Sequence, residues 1–257
     1  MVTLSEVEPD HRPDVEVLAE PGIRTLRLSR PAKRNAITSA MYATLADALR
    51  AADADEDVRV VVLTGSGGSF TAGNDLADMM ANPPLGDDAP PLRFLAALST
   101  LRPVLVAAVD GPAIGVGTTV LPHCDLVYAT VSSTFRLPFV NLGLVPEAAA
   151  TLLLPRLVGP GKAAELTLFG EPFDAAEAHR LGLVTALAPD AEALAALVAE
   201  RARTLADKPA EAVRETKRLL RDESAVTVAD RLDLDRRVMQ RLLDLRIRTA
   251  APSAKPG

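Results

Sequence analysis

The chain has 257 residues, 48% of them hydrophobic, enough to bury a sizeable core as one large domain or one domain with a small appendage. A formal net charge of −6 gives no basic footprint and argues against nucleic-acid binding, although a phosphorylated ligand needs only a few local cations and N–H groups. The single cysteine, Cys124, cannot form an internal disulfide, no Cys/His cluster has metal-ligand spacing, and the acidic N-terminus lacks a hydrophobic signal core. No apolar run approaches the roughly 18 residues that span a bilayer. The expectation is a cytoplasmic protein in a reducing compartment, away from membranes.

In chain order, Val15–Glu20 and Ile23–Leu28 alternate apolar and polar residues around Pro21-Gly22, which predicts a hairpin. Ser39 can cap a helix over 39–52, with Met41, Leu45, Ala48 and Leu49 on one face. The β-branched run 58–63 (VRVVVL) predicts a strand covered on both faces, Val104–Val109 a second, and 125–129 (DLVYA) a third. With short helices between them, these strands predict an α/β body with consecutive crossovers. Segment 82–91 (NPPLGDDAPP) reads as a mobile loop, 191–249 as wholly helical, and 250–257 as a frayed tail.

Two glycine-centred loops follow strands. After 58–63 the chain reaches Ala72-Gly73-Asn74-Asp75-Leu76, where Gly73 permits a turn that points the Asn74 N–H outward. A helix starting near Asp75 would leave further N–H groups unsatisfied, and Asp75 reads as its cap. After Val104–Val109 come a bend at Pro112 and then Gly115-Val116-Gly117, which put the Val116 N–H at the positive end of a predicted helix. Taken singly, each loop could be an ordinary tight strand-to-helix connection. Two such donors converging on one carbonyl oxygen would stabilise an oxyanion. Gly-Val-Gly lacks the third glycine and spaced acid of a dinucleotide fingerprint.

Other polar residues have plainer readings. His123 is expected to be structural and His179 to lie at a helical surface. Ser66 and Ser69 lack a nucleophile-elbow context. Arg214, Lys217 and Arg218 form a basic cluster that could meet a phosphate, but read as solvated helix charge.

The ordered segments Arg30-Pro31-Ala32-Lys33-Arg34-Asn35-Ala36-Ile37, Ala72–Leu76, Asp110–Gly117, Cys124–Tyr128 and Pro138–Glu147, with 168–172 and 178–184 further on, resemble the crotonase superfamily, also called the enoyl-CoA hydratase/isomerase family. The resemblance spans about 15–220. It implies an α/β fold of repeated ββα units with a crotonase/ClpP-like core over 1–190, and a helical C-terminal trimerisation section over 191–257. It further implies an acyl-CoA thioester ligand and a homotrimer or dimer of trimers. The backbone N–H groups of Asn74 and Val116 would be the oxyanion donors. Lys33, Arg34 and Ala36, with Ala72, Gly73, Asn74, Asp75, Leu76 and Gly115, would hold the CoA ligand. No cofactor beyond the CoA carried by the substrate is expected. The family commonly ends in a helix whose aromatic and lysine residues complete the CoA pocket, whereas this chain has no aromatic residue after Phe173.

Hydratases of this family use two glutamates, and the matching positions here are Thr119 and Phe139, so the water-adding pair is absent. Glu147 stands instead where the peroxisomal type of Δ3-Δ2-enoyl-CoA isomerase carries its single base. A first-turn helix acid is the other reading of Glu147. The expectation is a one-base proton shift from C2 to C4 of a 3-enoyl-CoA, with Phe139 keeping water away and raising the base's pKa. The alternatives are a non-catalytic acyl-CoA-binding homologue and an enoyl-CoA hydratase with an atypical site. Ala148-Ala149 replace the glycine-rich run that often follows the acid in this family.

Overall fold

The computed structural model describes residues 13–84, 86–222 and 227–250. The expectations for the extreme N-terminus and for the tail beyond residue 250 fall outside these residues. Compact packing divides the chain into two units, the first ending at Ala206 and the second starting at Asp207.

The predicted hairpin forms over its full length, β1 (Val15–Glu20) pairing antiparallel with β2 (Ile23–Leu28). Helix α1 (Ser39–Ala54) follows, but its cap is Thr38 rather than Ser39: Thr38 is extended, and its hydroxyl accepts from Met41 N at 3.3 Å. The next strand, β3, runs Val60–Gly65, two residues later than the hydrophobic run suggested, because pairing with β2 starts at Ile23↔Val60. Short α2 (Leu76–Ala81) and α3 (Pro90–Thr100) precede β4 (Val104–Val109), every residue of which is buried. Pro112 does not simply bend the chain. It opens a short strand, β5 (Pro112–Ile114), where a missing N–H is tolerated at the first position. One helical turn, α4 (Val116–Thr119), leads to β6 (Leu126–Thr130) and β7 (Thr134–Arg136). Then come α5 (Ala150–Val158), α6 (Pro160–Leu168), β8 (Phe173–Asp174), α7 (Ala175–Arg180), β9 (Ala186–Ala188) and α8 (Ala191–Ala206).

Strands β1-β2-β3-β4-β6-β9 form one sheet, parallel beyond the first hairpin, and β5-β7-β8 form a second. The α/β expectation with consecutive crossovers is met. Apolar side chains of α1 and α3, including Leu45, Leu49, Phe94 and Leu98, pack with β2–β4 in the main core. Helix α8 lies along β2, β3, β4, β6 and β9, so it belongs to the first unit. The β3–β4 run is therefore covered on both faces, which explains its unbroken Val/Leu/Ala pattern.

The second unit consists of α9 (Ala210–Arg221) and α10 (Val228–Ala250). Glu215 of α9 accepts from Arg218 at 3.0 Å and pairs with Arg241 of α10 at 2.7 Å. The expectation of solvated helix charge does not hold for Lys217, which is buried, whereas Arg218 is exposed.

Candidate active site

The strap from Arg30 to Ile37 is folded by its own irregular backbone. After a 3-10 turn over Pro31–Lys33, Arg34 and Asn35 both take left-handed φ values, 51° and 54°. Buried Asn35 rewards that conformation: its Oδ1 accepts from Arg30 N at 2.9 Å, and its Nδ2 donates to the carbonyls of Ser66 and Ser69 at 2.9 and 2.7 Å. Three backbone bonds then join the strap to the first glycine loop: Ala72 N to Arg34 O, Ile37 N to Gly73 O, and Asp75 N to Ile37 O. Lys33, Arg34 and Ala36 are thereby brought beside Ala72–Leu76, with Lys33 and Arg34 exposed. The Asp75 carboxylate is already engaged. It caps α2 through the Ala77 and Asp78 N–H groups and pairs with Arg30 at 2.7 Å, and that hydrogen bond from Arg30 is the main cause of its lowered pKa.

The second loop lies against the first. Thr71 N donates to Pro112 O and Ile114 N to Thr71 O, a short parallel bridge between the loops. At Gly73 (φ +93°) a β-carbon would sit 2.9 Å from Ile114 O, so only glycine allows this approach. Gly115 (φ +58°) is fixed by its N–H on Arg136 O at 2.9 Å, and Val116 opens α4. The N–H groups of Gly73, Asp75 and Gly115 are paired, with Thr71 Oγ1, Ile37 O and Arg136 O, whereas among the described residues those of Asn74 and Val116 meet no protein acceptor. Both donors belong to adjoining loops, as their glycine contexts suggested.

Glu147 is half-buried, and its Oε1 accepts from Asn74 Nδ2 at 3.1 Å. Asn74 Oδ1 in turn accepts from the Tyr42 hydroxyl, which reaches it from α1. Burial pushes the Glu147 carboxyl above the ordinary glutamate range, and the Asn74 hydrogen bond opposes that shift. Burial, and then the charge of Glu147, push the Tyr42 hydroxyl well above its usual value, so it remains a proton donor. The reading of Glu147 as a first-turn helix acid does not fit the backbone: α5 starts at Ala150 with Ala149 as its cap. Between them, Ala148 and Ala149 adopt left-handed φ values of 57° and 52°. His123 Nε2 donates to Ala148 O at 2.8 Å, giving His123 the structural role expected of it.

The two positions where hydratases carry acids are closed here. Thr119 is buried with its hydroxyl toward Val116 O at 3.4 Å. Phe139 is buried, with its ring tip 3.9 Å from where a Gly115 β-carbon would lie. His179 is exposed, with Nδ1 on Val184 O at 2.9 Å, and Ser69 Oγ donates to Arg34 O. Tyr42 is the residue that sequence reading overlooked. A buried tyrosine signals a buried partner for its hydroxyl, but periodicity does not say which.

A family profile described as Enoyl-CoA hydratase/isomerase matches residues 19–249. The chain belongs to this family. Peroxisomal enoyl-CoA delta isomerase 3 of Mus musculus is 39% identical over 189 residues, covering 69% of this chain and 57% of the mouse protein. The chain thus spans little more than half the length of that relative. The 1,2-epoxyphenylacetyl-CoA isomerase of Escherichia coli is 35% identical over 226 residues, covering 84% of this chain and 85% of that one. Among solved structures, an enoyl-CoA hydratase/carnithine racemase-type protein from Magnetospirillum magneticum superposes with a TM-score of 0.86 at 40% identity, covering 90% of this chain and 91% of the other. The crotonase resemblance and its fold are therefore established. Among the described residues, no helix is long and apolar enough to cross a membrane.

Proposed function

We propose that this crotonase-family protein is a Δ3-Δ2-enoyl-CoA isomerase with Glu147 as its only base. The observation that carries the reading is the hydrogen bond between Asn74 Nδ2 and Glu147 Oε1: one residue, Asn74, offers its side chain to the carboxylate and its backbone N–H to an oxyanion. In a 3-enoyl-CoA the C2 proton is acidified by the thioester carbonyl and the neighbouring double bond. Glu147 takes that proton, and the electron pair moves into a dienolate whose oxygen is bound by the Asn74 and Val116 N–H groups. The protonated carboxyl then returns the proton at C4, leaving the conjugated 2-enoyl-CoA. Atoms and charge balance with no metal and no redox partner.

The same reading assigns the strap and first loop, Lys33 to Ala36 and Ala72 to Leu76, to the CoA moiety. Phe139 favours isomerisation over hydration, because an apolar ring gives an attacking water no hydrogen-bonding partner. We further propose a cytoplasmic homotrimer or pair of trimers; the mouse relative is peroxisomal by name, and cell fractionation and light scattering test these two points.

Incubation with 3-hexenoyl-CoA should produce the absorbance of a conjugated thioester, and Glu147→Gln should lower kcat by about 10²–10⁴-fold, the usual contribution of a positioned general base. Hydration of crotonyl-CoA faster than isomerisation would establish the hydratase alternative. Tight acyl-CoA binding without turnover of any enoyl substrate would establish the binding-protein alternative. Because the E. coli relative covers most of this chain, 1,2-epoxyphenylacetyl-CoA belongs in the same assay; preferred turnover of it would replace the enoyl substrate in this reading.

A further inference from the structure

Tyr42 is a buried residue of α1 whose ring lies against Phe94 of α3, with centroids 5.4 Å apart. Packing alone would be satisfied by phenylalanine. The hydroxyl is nevertheless aimed at Asn74 Oδ1, and the other end of that carboxamide meets Glu147. The polarity of this row is dictated by chemistry. A carboxylate only accepts, so Asn74 must present its NH2 to Glu147, and its oxygen must then face a donor. Tyr42 is that donor.

We propose that Tyr42 is a positioning residue for the base: its hydroxyl holds the Asn74 carboxamide with the NH2 end on Glu147, and so fixes both the carboxylate's place and its basicity. Without the hydroxyl, the amide oxygen loses its partner and the carboxamide is free to rotate away from Glu147. The carboxylate then keeps its burial but loses its donor, and its affinity for a proton rises. The other ionisable groups nearby are already committed: Asp75 pairs with Arg30, and His123 is bonded to Ala148 O. The inference deepens the isomerase reading and rests on it for its kinetic consequences, although the positioning itself can be measured without substrate.

The test uses the full chain and the variants Tyr42→Phe, Asn74→Ala and the double variant, with Glu147→Gln assigning the Glu147 carboxyl signal in a carbon-13 NMR titration. In Tyr42→Phe the Glu147 carboxyl should titrate at higher pH than in the wild type. Asn74→Ala should raise it at least as far, and the double variant no further than Asn74→Ala alone, since Tyr42 acts through Asn74. With 3-hexenoyl-CoA, Tyr42→Phe should lower kcat roughly tenfold with KM little changed, the size expected from one ordinary net hydrogen bond. It should also move the acid limb of the kcat profile to higher pH. An unshifted titration in Tyr42→Phe, or shifts that add in the double variant, would overturn the proposal. A wild type that does not isomerise 3-hexenoyl-CoA would sink the isomerase reading instead, with the substrate-free titration still deciding Tyr42.

Discussion

The two glycine loops and the turn after Glu147 solve one backbone problem in opposite ways. Gly73 and Gly115 take positive φ values on residues without a β-carbon, so the loops can touch at Ile114 O without strain. The base-bearing turn takes two successive left-handed residues on alanine, Ala148 and Ala149. Each such alanine costs about 1–2 kcal/mol by itself, and the conformation persists because its surroundings over-determine it. Ala148 is buried, its carbonyl accepts from His123, and Ala150 N donates to Glu147 O at 3.1 Å. The loops are thus shaped by what their residues permit, whereas the turn is shaped by what surrounds it.

If that contrast is right, adding a methyl group to the loops should be far more damaging than removing one from the turn. Among these backbone variants the largest effect is expected for Gly73→Ala. Its β-carbon would meet Ile114 O at 2.9 Å, driving the loops apart and turning away the Asn74 N–H. Loss of one oxyanion donor lowers kcat by about 10²–10³-fold, and steady-state kinetics on 3-hexenoyl-CoA should show a fall of that order. Full activity in Gly73→Ala, alongside an inactive Glu147→Gln, would remove Asn74 N–H from the oxyanion site. Gly115→Ala should do less, since no atom lies closer than 3.9 Å to its β-carbon and only the conformation is strained. A stability loss of about 1–3 kcal/mol is expected there, read from the denaturant midpoint.

The contrast also explains what was legible in the sequence. The body of the fold lay in long apolar runs: the hairpin and the strand Val104–Val109 are found where alternation and β-branching predicted them. The loops were legible because glycine announces an unusual φ. The alanine turn carried no such mark in its own residues, since nothing in Ala148-Ala149 distinguishes a left-handed pair from the start of a helix; only the glycine-rich run that the family often has there pointed to it. Asn35, Arg30 and Tyr42 were hidden for a related reason. Their roles depend on partners 30 or more residues away, at Ser66 and Ser69, at Asp75, and at Asn74, and a local pattern contains no record of such pairings. Glu147 stood between these cases. Its position was read from a resemblance, and its contact with Asn74 emerged only from the packing of two distant loops.

The turn carries a second burden, a desolvated carboxylate, which Glu147→Gln isolates. Burial raises the Glu147 pKa in the folded protein. The folded state therefore binds that proton more tightly than the unfolded chain, and stability is lost as pH rises through the folded-state pKa. The glutamine variant cannot ionise, so at neutral pH it should melt above the wild type even as it loses activity. The gap should close below the ordinary glutamate value of 4.5, where the wild-type carboxyl is neutral in both states. Thermal melts across that range check the sign; a glutamine variant that is less stable at neutral pH would mean that the Asn74 hydrogen bond outweighs desolvation. For the same reason, the acid limb of the wild-type kcat profile should lie above 4.5.

The smallest effect is the sharpest test of the alanine turn itself. Ala149 is exposed, so Ala149→Gly removes a methyl group that packs against little. Relief of a left-handed alanine returns about 1–2 kcal/mol, and the extra freedom of glycine in the unfolded chain takes back about 0.4–1 kcal/mol. A net gain of about 0.8 kcal/mol follows, visible as a higher denaturant midpoint at unchanged slope. Activity should hold within about twofold, because one such loosened residue is worth less than the net hydrogen bond that Asn74 gives the carboxylate. Lower stability would show that the alanine is unstrained and the contrast with the glycine loops empty. Higher stability with a large fall in kcat would show instead that the stiffness of the turn, and not the grip of Asn74, aims the base.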